Sequence, residues 1–544
     1  MMLKQTKIVA SISDLRCEVD FIRDLFNAGM NVVRMNTAHA SREGFEKLIN
    51  NVRTVSNRIG ILMDTKGPEV RTTASAEGPI DFKTGEKVRI VGNPEQETTH
   101  ECIAVTYPGF VHDLSVGADV LMDDGELALK VIDKNEDTLF CEVRNDATLG
   151  SRKSVNVPGV RINLPSLTEK DRNNILYAIE KDIDFIAHSF VRNRQDVLDI
   201  REILDAHHSD IKIIAKIENQ EGVDNIDEIL KVVDGVMVAR GDLGVEIPME
   251  DVPVVQKQII AKCNAAGKPA VTATQMLESM ITNYHATRAE ASDVANAIYD
   301  GTDAIMLSGE TASGAYPVEA VETMSRIAKR TEASLDYVNV FKHKGIGAQV
   351  QMTDAISHAT VQIAQELDAN VILSITESGY TARMVAKYRP HAMVVGVSPK
   401  EESLRRMALY WGVVPLKGLN KPNTDALLDL AVNEARNAGL VRKGDSVIVT
   451  AGKNVGKVGS TNLIQVVNVG EIVVKGQGIG RKSVTGEVAR VEHLSDIDKI
   501  KEGSILVCSA LENEMGAKAA QSAGIIAEEG GFTSPAAIVG INFL

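Results

Sequence analysis

Two carboxylates and a lysine define the chemistry to consider first. Lys216 closes the apolar run Ile213-Ile-Ala-Lys, Glu218 follows it by two positions, and Asp242 follows a second apolar run that ends at Arg240. A hard divalent cation such as Mg²⁺ takes one or two carboxylates, keeps waters and completes its shell with substrate oxygens. Glu218 and Asp242, on neighbouring elements beside a lysine, are therefore metal candidates, although either acid alone would read as a solvated loop residue. A fixed ammonium near such a metal stabilises charge on a phosphoryl group in transfer. Lys216 could instead form a structural pair with Glu218, or act as a Schiff-base amine. The adjacent acid opposes that last role because it keeps the amine protonated. Arg34 and Arg71 are phosphate candidates, since a guanidinium can grip phosphate bidentately, and each could equally be a structural ion pair.

These residues need elements that bring them together. Eight short apolar runs are candidates: Lys7–Ile12, Asn31–Met35, Gly60–Asp64, Asp184–Ser189, Lys212–Ile217, Gly235–Arg240, Pro269–Thr274 and Asp303–Ser308. They lack clean alternation, as strands buried on both faces of a parallel sheet do. Helical segments separate them: the stripe Val19, Ile22, Leu25, Phe26 stops at Gly29, and Ser166 with Glu169 reads as a capping box before Ile175–Ile179. Eight β/α units predict a closed (β/α)₈ barrel, an α/β fold whose reacting groups sit at the C-terminal strand ends. Those ends carry Arg34 and Asn36; Asp64, Thr65 and Lys66; Ser189; Lys216 and Glu218; Arg240 and Asp242; Thr274; Ser308 and Glu310. The set holds acids for a cation and bases for an anion, with no Ser-His-Asp arrangement and no histidine cluster.

The barrel should occupy residues 1–71 and 164–345. Residues 72–163, short-stranded and rich in Gly and Asp, predict an inserted all-β lid domain in a βα loop on the catalytic face. Residues 346–472 show a new strand series with early helices, predicting a C-terminal α/β open-sheet domain. Residues 473–544 form a short extra C-terminal domain.

Composition narrows the class. The 544 residues carry a formal net charge of −15, which argues against a sequence-independent nucleic-acid binder. The 5 cysteines lack CxxC spacing and read as free thiols. No apolar stretch approaches the ~18 residues that span a bilayer, and the N-terminus is not a signal peptide, so a cytoplasmic protein with no membrane partner is expected. Gly476-Gln-Gly-Ile-Gly is not a dinucleotide fingerprint, and no GxxxxGK[ST] loop is present. His207-His208 reads as an exposed helix end.

At these strand ends the sequence resembles the pyruvate kinase family. The resemblance is carried by Asp64-Thr-Lys-Gly-Pro-Glu-Val-Arg71, Lys216-Ile-Glu-Asn219, Met237-Val-Ala-Arg-Gly-Asp-Leu-Gly244, Ala273-Thr-Gln-Met-Leu-Glu-Ser-Met280 and Met306-Leu-Ser-Gly-Glu-Thr311, in that order. It implies transfer of the phosphoryl group of phosphoenolpyruvate to ADP. It further implies that Glu218 and Asp242 hold Mg²⁺ or Mn²⁺, that the Ala239, Arg240, Gly241 backbone binds the substrate carboxylate, and that Lys216 stabilises the phosphoryl group. Ser189 lines the substrate site, and Thr274 helps protonate the enolate. Arg34 and Arg71 bind phosphates; Lys153, His39 and Asn36 serve the nucleotide; Asn36, Asp64 and the Thr65 carbonyl hold K⁺. A homotetramer is implied, with Thr376, Ser378, Gly379 and Thr381 as a phosphate loop for a sugar-phosphate or nucleotide effector. A strand-to-helix turn would use the same residue types there.

Departures from the family pattern are local. Ala38 stands where a Ser usually supplies a K⁺ ligand, although Glu69 is the residue of K⁺-dependent members. The first strand ends Ala10-Ser-Ile-Ser-Asp in place of a Gly-Pro-Ala turn. The last segment resembles the phosphohistidine swivelling domain of phosphoenolpyruvate-utilising enzymes and stops short of that domain's usual end. Its run Gly530-Gly-Phe-Thr-Ser-Pro535 has proline where phosphorylated relatives have histidine, so no phosphohistidine is expected there. Two other readings stay open on the residues alone: a Mg²⁺-dependent barrel lyase or aldolase acting on pyruvate or phosphoenolpyruvate, and a catalytically silent sugar-phosphate sensor or assembly scaffold.

Overall fold

The computed structural model describes residues 4–38, 41–344, 351–418, 424–452, 461–470, 476–479, 484–531 and 533–543. His39 and the boundaries expected at 345–346 and 472–473 fall outside them.

Eight parallel strands close a barrel: β1 Lys7–Ser11, β2 Val32–Asn36, β3 Gly60–Asp64, β4 Phe185–His188, β5 Lys212–Ile217, β6 Gly235–Ala239, β7 Ala270–Ala273 and β8 Ala304–Leu307. Each pairs with the next, and β8 pairs with β1. Side chains alternate between the interior and the helix layer. In β5, Ile213, Ala215 and Ile217 join the outer helix-packed core, whereas Ile214 points inward with Val32, Leu62, Phe185 and Met237. Two residues further along, the inward positions turn polar: Arg34, Asp64 and Lys216. The lower interior is a dry plug and the upper interior is the mouth. The plug continues through the floor into Tyr388, Met407 and Tyr410 of the C-terminal domain, one apolar cluster with no break at the domain border.

A seven-stranded sheet grows from the loop after β3. It begins with Val70–Arg71 and includes Ser154–Asn156, Asp119–Met122 and Leu127–Lys134; the pair Ile80–Phe82 and Ala147–Leu149 stands beside it. Its core is separate from that of the barrel. The C-terminal sheet has the order β11-β10-β9-β12-β13, formed by β9 Val371–Ile375, β10 Met393–Ser398, β11 Val413–Lys417, β12 Ser446–Gly452 and β13 Thr461–Asn468, with only β13 antiparallel. The last segment holds three parallel strands, β14 Val488–Arg490, β15 Ile505–Cys508 and β16 Gly524–Ala527.

One sequence expectation is corrected. The helix Glu169–Glu180 is capped by Thr168 with Asp171, both arms of the box being present, and not by Ser166 with Glu169. Ser166 is diverted to Asp199 on the next helix. Asp171 has a second duty, accepting from the Lys66 amide at 3.1 Å, so the cap also fixes the loop beyond β3.

Candidate active site

The tips of β2, β3, β4 and β5 deliver one hydrogen-bonded cluster. Lys216 Nζ donates to Ser189 Oγ at 2.8 Å and lies 2.9 Å from Glu218 Oε1 and 3.3 Å from Asp64 Oδ1. Arg34 donates from Nε to Asp64 Oδ2 at 2.7 Å and from Nη1 to Ser11 Oγ at 2.9 Å. Ser189 Oγ also reaches the Thr65 carbonyl at 2.7 Å. Burial works against the Asp64 carboxylate, but Lys216 and Arg34 overcome it and hold its pKa below the ordinary range. Burial likewise opposes the Lys216 ammonium, and Asp64 and Glu218 outweigh it, so the amine stays charged well above its usual pKa. That removes the Schiff-base reading of Lys216, which needs a neutral amine.

Glu218 is the uncomfortable member. It is fully buried, and its Oε2 accepts from the Phe190 amide at 2.6 Å. Its Oε1 makes no regular hydrogen bond among the described residues and meets the Lys216 ammonium as an ion pair at 2.9 Å. Burial pushes its pKa up to about 7; Lys216 opposes the rise and Asp242 adds to it. A buried anion with an unfilled oxygen is costly by itself and suits a cation between it and Asp242. Among the described residues no group of three or more His, Cys, Asp or Glu gathers as a metal cage. Glu218 and Asp242 would supply two carboxylates, and Mg²⁺ takes one or two of these, with substrate oxygens and waters completing its shell.

Asp242 sits in the short helix Arg240–Glu246, which starts directly at the end of β6. It lines a cavity of about 470 Å³ between the barrel mouth and the inserted domain, together with Glu69, Phe190, Asn156, Arg192 and Glu246. The insert supplies one wall of the cavity through Asn156, Val157 and Val160. Asn156 donates to Glu246 Oε1 at 2.7 Å, and Arg192 donates to the carbonyls of Ile162 and Leu164 at 3.2 and 2.9 Å. Glu69, at its edge, lies between two cations, with Lys66 Nζ and Arg71 Nε each 2.8 Å from Oε1. Burial raises the Glu69 pKa, but its bonds to Arg71 and Lys66 prevail and keep it ionised.

The remaining expected residues divide. Thr274 reaches the mouth with φ +74°, its methyl against Gly241: a Cβ built on Gly241 would stand 2.8 Å from Thr274 Cγ2. The Arg240 guanidinium is spent on protein partners, among them Asp293 at 2.7 Å, leaving only backbone at positions 239–241 for an anion. Asn36 accepts from the Ala38 amide at 3.0 Å, and Thr37 donates to the Asp64 carbonyl at 2.8 Å. Lys153 stays within the inserted domain, paired with Asp123 at 2.9 Å. In the C-terminal domain, Thr376 accepts from the Gly379 amide at 3.0 Å, and the buried Thr381 hydroxyl pairs with Thr461 at 2.7 Å. Ser378 and the left-handed Gly379, φ +82°, form the turn between them.

Sequence reasoning missed Phe190, Asn156, Glu246 and Asp293. Phe190 has φ +55°, which aims its amide at Glu218. A signal was present in Gly67: a Cβ there would stand 2.9 Å from both Phe190 Cδ2 and Ser189 Cβ, so this glycine marks the close approach of the loops after β3 and β4.

Comparison with known proteins agrees with this geometry. The pyruvate kinase barrel-domain model matches residues 3–321, the pyruvate kinase alpha/beta-domain model residues 354–467, and the mobile domain of PEP-utilising enzymes residues 500–543. The chain is 50% identical to a pyruvate kinase of Bacillus licheniformis over 99% of its own length and 93% of the relative's, with the same figures for Geobacillus stearothermophilus. Its fold is similar to that of a solved pyruvate kinase from Cryptosporidium parvum, with TM-score 0.81 and 39% identity over 86% of this chain and 96% of that one. With a family model spanning the barrel and relatives half identical along nearly their whole length, the chain belongs to the pyruvate kinase family of phosphotransferases, which turn phosphoenolpyruvate and ADP into pyruvate and ATP.

Proposed function

We propose that the mouth performs this transfer with Lys216 as the group that stabilises the phosphoryl in flight and with Glu218 and Asp242 as the ligands of Mg²⁺ or Mn²⁺. The observation that carries the reading is Lys216 locked between Asp64 and Glu218 while one buried Glu218 oxygen lacks a hydrogen bond. A divalent ion, when bound, supplies charge neutralisation and orientation to the substrate oxygens. The chain's own residues do the rest. Arg34, anchored by Asp64, faces the phosphate, and the backbone at 239–241 takes the substrate carboxylate. Transfer leaves an enolate. The π pair of its C2–C3 bond takes a proton at C3 while the oxygen pair re-forms the C2 carbonyl, giving the methyl and ketone of pyruvate. Thr274, whose hydroxyl has no partner among the described residues, orients the water that supplies the proton.

Arg71 and Lys153, with His39 and Asn36, receive the nucleotide; both Arg71 and Lys153 now hold acids, Glu69 and Asp123, that ADP phosphates would displace. K⁺ binds through Asn36, Asp64 and the Thr65 carbonyl, weakly, since Ala38 supplies no side-chain oxygen. The enzyme works as a homotetramer in the cytoplasm, where the substrates of the family's reaction are found. The 376–381 loop takes a phosphate-bearing effector through Ser378 and backbone amides, because the Thr376 and Thr381 hydroxyls are already used. Steady-state assay of pyruvate formation, titrating K⁺ at saturating Mg²⁺, tests the ion assignments. Activation with a weak half-saturation is expected, and restoration of tight K⁺ activation by Ala38→Ser. A rate independent of K⁺ removes the K⁺ site, and turnover without any divalent ion removes the roles of Glu218 and Asp242.

A further inference from the structure

We propose that Arg240 is a positioning residue for enolate protonation: clamped by Asp293, it ties the start of the Arg240–Glu246 helix to the Ala273 and Thr274 carbonyls and so fixes the Thr274 hydroxyl beside the carboxylate-binding backbone. The proposal rests on the reading of Thr274 given above and extends it to the Arg240 side chain and Asp293.

The guanidinium is committed at every nitrogen. Nε donates to the Ala273 carbonyl at 3.3 Å, and Nη2 donates to the Thr274 carbonyl at 2.7 Å and lies 2.9 Å from Met276 Sδ. Nη1 and Nη2 each meet one Asp293 oxygen at 2.7 Å, a bidentate pair, and Nη1 lies 3.4 Å from Gln256 Oε1. The planar fork therefore links three elements: the tip of β6, the tip of β7 and the helix Arg288–Asp300. Lysine could not bridge the same set, having one nitrogen in place of a fixed fork.

What it holds needs holding. Thr274 and Gln275 have φ +74° and +56°, two successive left-handed residues without a glycine, one of them β-branched. Such a conformation persists only where the surroundings over-determine it. The bond to the Thr274 carbonyl acts on this peptide unit. On the other side, Gly241 leaves room for the Thr274 methyl, where a Cβ would intrude to 2.8 Å. The two loops thus fit at van der Waals distance, with Arg240 fixing their separation. Asp293 sets the rotamer from a helix that does not enter the mouth.

Exchange of pyruvate methyl protons with D₂O, followed by NMR on the full-length enzyme with Mg²⁺, K⁺ and ATP, reads enolate protonation apart from phosphoryl transfer. Arg240→Gln is expected to slow exchange by about tenfold or more, with the KM for phosphoenolpyruvate altered less than about threefold. Arg240→Lys should recover only part. Asp293→Asn, which keeps the shape and loses the charge, should slow exchange by about threefold. In a Thr274→Ala background, Arg240→Gln should add nothing, because the group it positions is gone. Parental exchange in both Arg240→Gln and Asp293→Asn, alongside slow exchange in Thr274→Ala, overturns the positioning role and leaves Thr274 intact. Parental exchange in Thr274→Ala overturns the Thr274 reading and this proposal with it. Equal loss of exchange, phosphoryl transfer and substrate affinity in Arg240→Gln marks a structural role and also overturns the proposal. Should Arg240→Gln not fold, Asp293→Asn decides by the same criteria.

Discussion

Lys7 and Lys216 are buried lysines at opposite ends of one barrel, and their surroundings push them in opposite directions. Lys7 opens β1 at the floor, where its amine donates to the Val413 carbonyl at 2.7 Å. Burial pulls its pKa down to about 8, and Glu332 offsets this only in part. That glutamate is already occupied by the Gln5 and Thr6 amides at 2.8 and 2.6 Å. Lys216, near the tip of β5 and partly buried, has two carboxylates within 3.3 Å and stays charged although burial opposes it there too. The floor lysine is a connector between domains that the fold tolerates nearer neutrality. The mouth lysine is a charge kept ready for a second anion.

The contrast extends to the arginines. At the floor, Arg389, Arg405 and Arg406 of the C-terminal domain meet Asp303, Asp184 and Asp210 at 3.0, 2.6 and 2.7 Å, each acid lying just before a barrel strand. Asp184 is further satisfied by Arg53 at 3.1 Å and the Ile61 amide at 2.8 Å. The floor pairs each arginine of one domain with an acid of another, whereas the mouth gathers Arg34, Asp64, Lys216 and Glu218 into one shared cluster. The same residue types serve both ends. Pairing across a domain border separates the end that holds the molecule together from the end that collects unlike charges in one pocket.

The largest expected effect tests the mouth. Lys216→Met should lower kcat by about 10²–10³-fold, about 3–4 kcal/mol of transition-state stabilisation. Phosphoenolpyruvate binding, measured apart from turnover, should change little. A variant within tenfold of parental turnover would break the comparison, since the two lysines would then be equally structural.

Next in size is the opposite result at the floor. Arg405→Met leaves the fully buried Asp184 with Arg53 as its remaining cation, and should cost about 3 kcal/mol of stability, read from urea unfolding. The kcat of the folded enzyme should stay within about twofold. A catalytic defect without loss of stability would show that the floor takes part in turnover.

Most of the fold could be read from sequence because its signals are local. Each barrel strand is a short apolar run between helical segments, and the polar residues at its C-terminal end are mouth residues once a barrel is inferred. Arg34, Asp64, Ser189, Lys216 and Glu218 all stand at such ends, and the fold brings them into one cluster. What stayed hidden depends on tertiary contact. The left-handed turn at Phe190 follows from packing against Gly67, the partnership of Arg240 and Asp293 joins residues 53 positions apart, and the true helix cap moved to Thr168 because Asp199 captured Ser166. None of these leaves a periodic trace.

A smaller effect sharpens the comparison through pH. Free lysine holds its proton to a pKa of 10.5, whereas folded Lys7 releases it near pH 8. Between those values the unfolded chain binds more protons, so stability should rise with pH. Lys7→Met should flatten that rise between about pH 8 and 10 by about 1 kcal/mol per pH unit. Lys4, lowered to about 7 mainly by burial and then by Lys7, supplies a residual slope of the same sign. Lys216, with its pKa moved the other way, cannot contribute to this window. An unchanged slope would mean that the floor amine is as well matched as its counterpart in the mouth.

The smallest effect concerns the contact between mouth and insert. Asn156 joins the inserted domain to Glu246 by one neutral-donor hydrogen bond of 2.7 Å, on the same short helix that carries Asp242. The hairpin tip at Gly125 brings its missing Cβ only to 4.0 Å from Val245, so little packing reinforces the bond there. Burial raises the Glu246 pKa and the Asn156 amide counters it, so the bond stabilises the charged form. A hydrogen bond to a charged acceptor is worth about 1.5–3 kcal/mol, below the roughly 3–5 kcal/mol lost when one partner is stripped from a buried charge pair of the floor. Asn156→Ala should therefore raise the KM for ADP by about threefold, move the KM for phosphoenolpyruvate less, and leave the unfolding midpoint nearly unchanged. An equal rise in both KM values, together with a drop in the midpoint, would mean that the insert is fastened as the floor is, and the mouth would lose its claim to be the one end built to open.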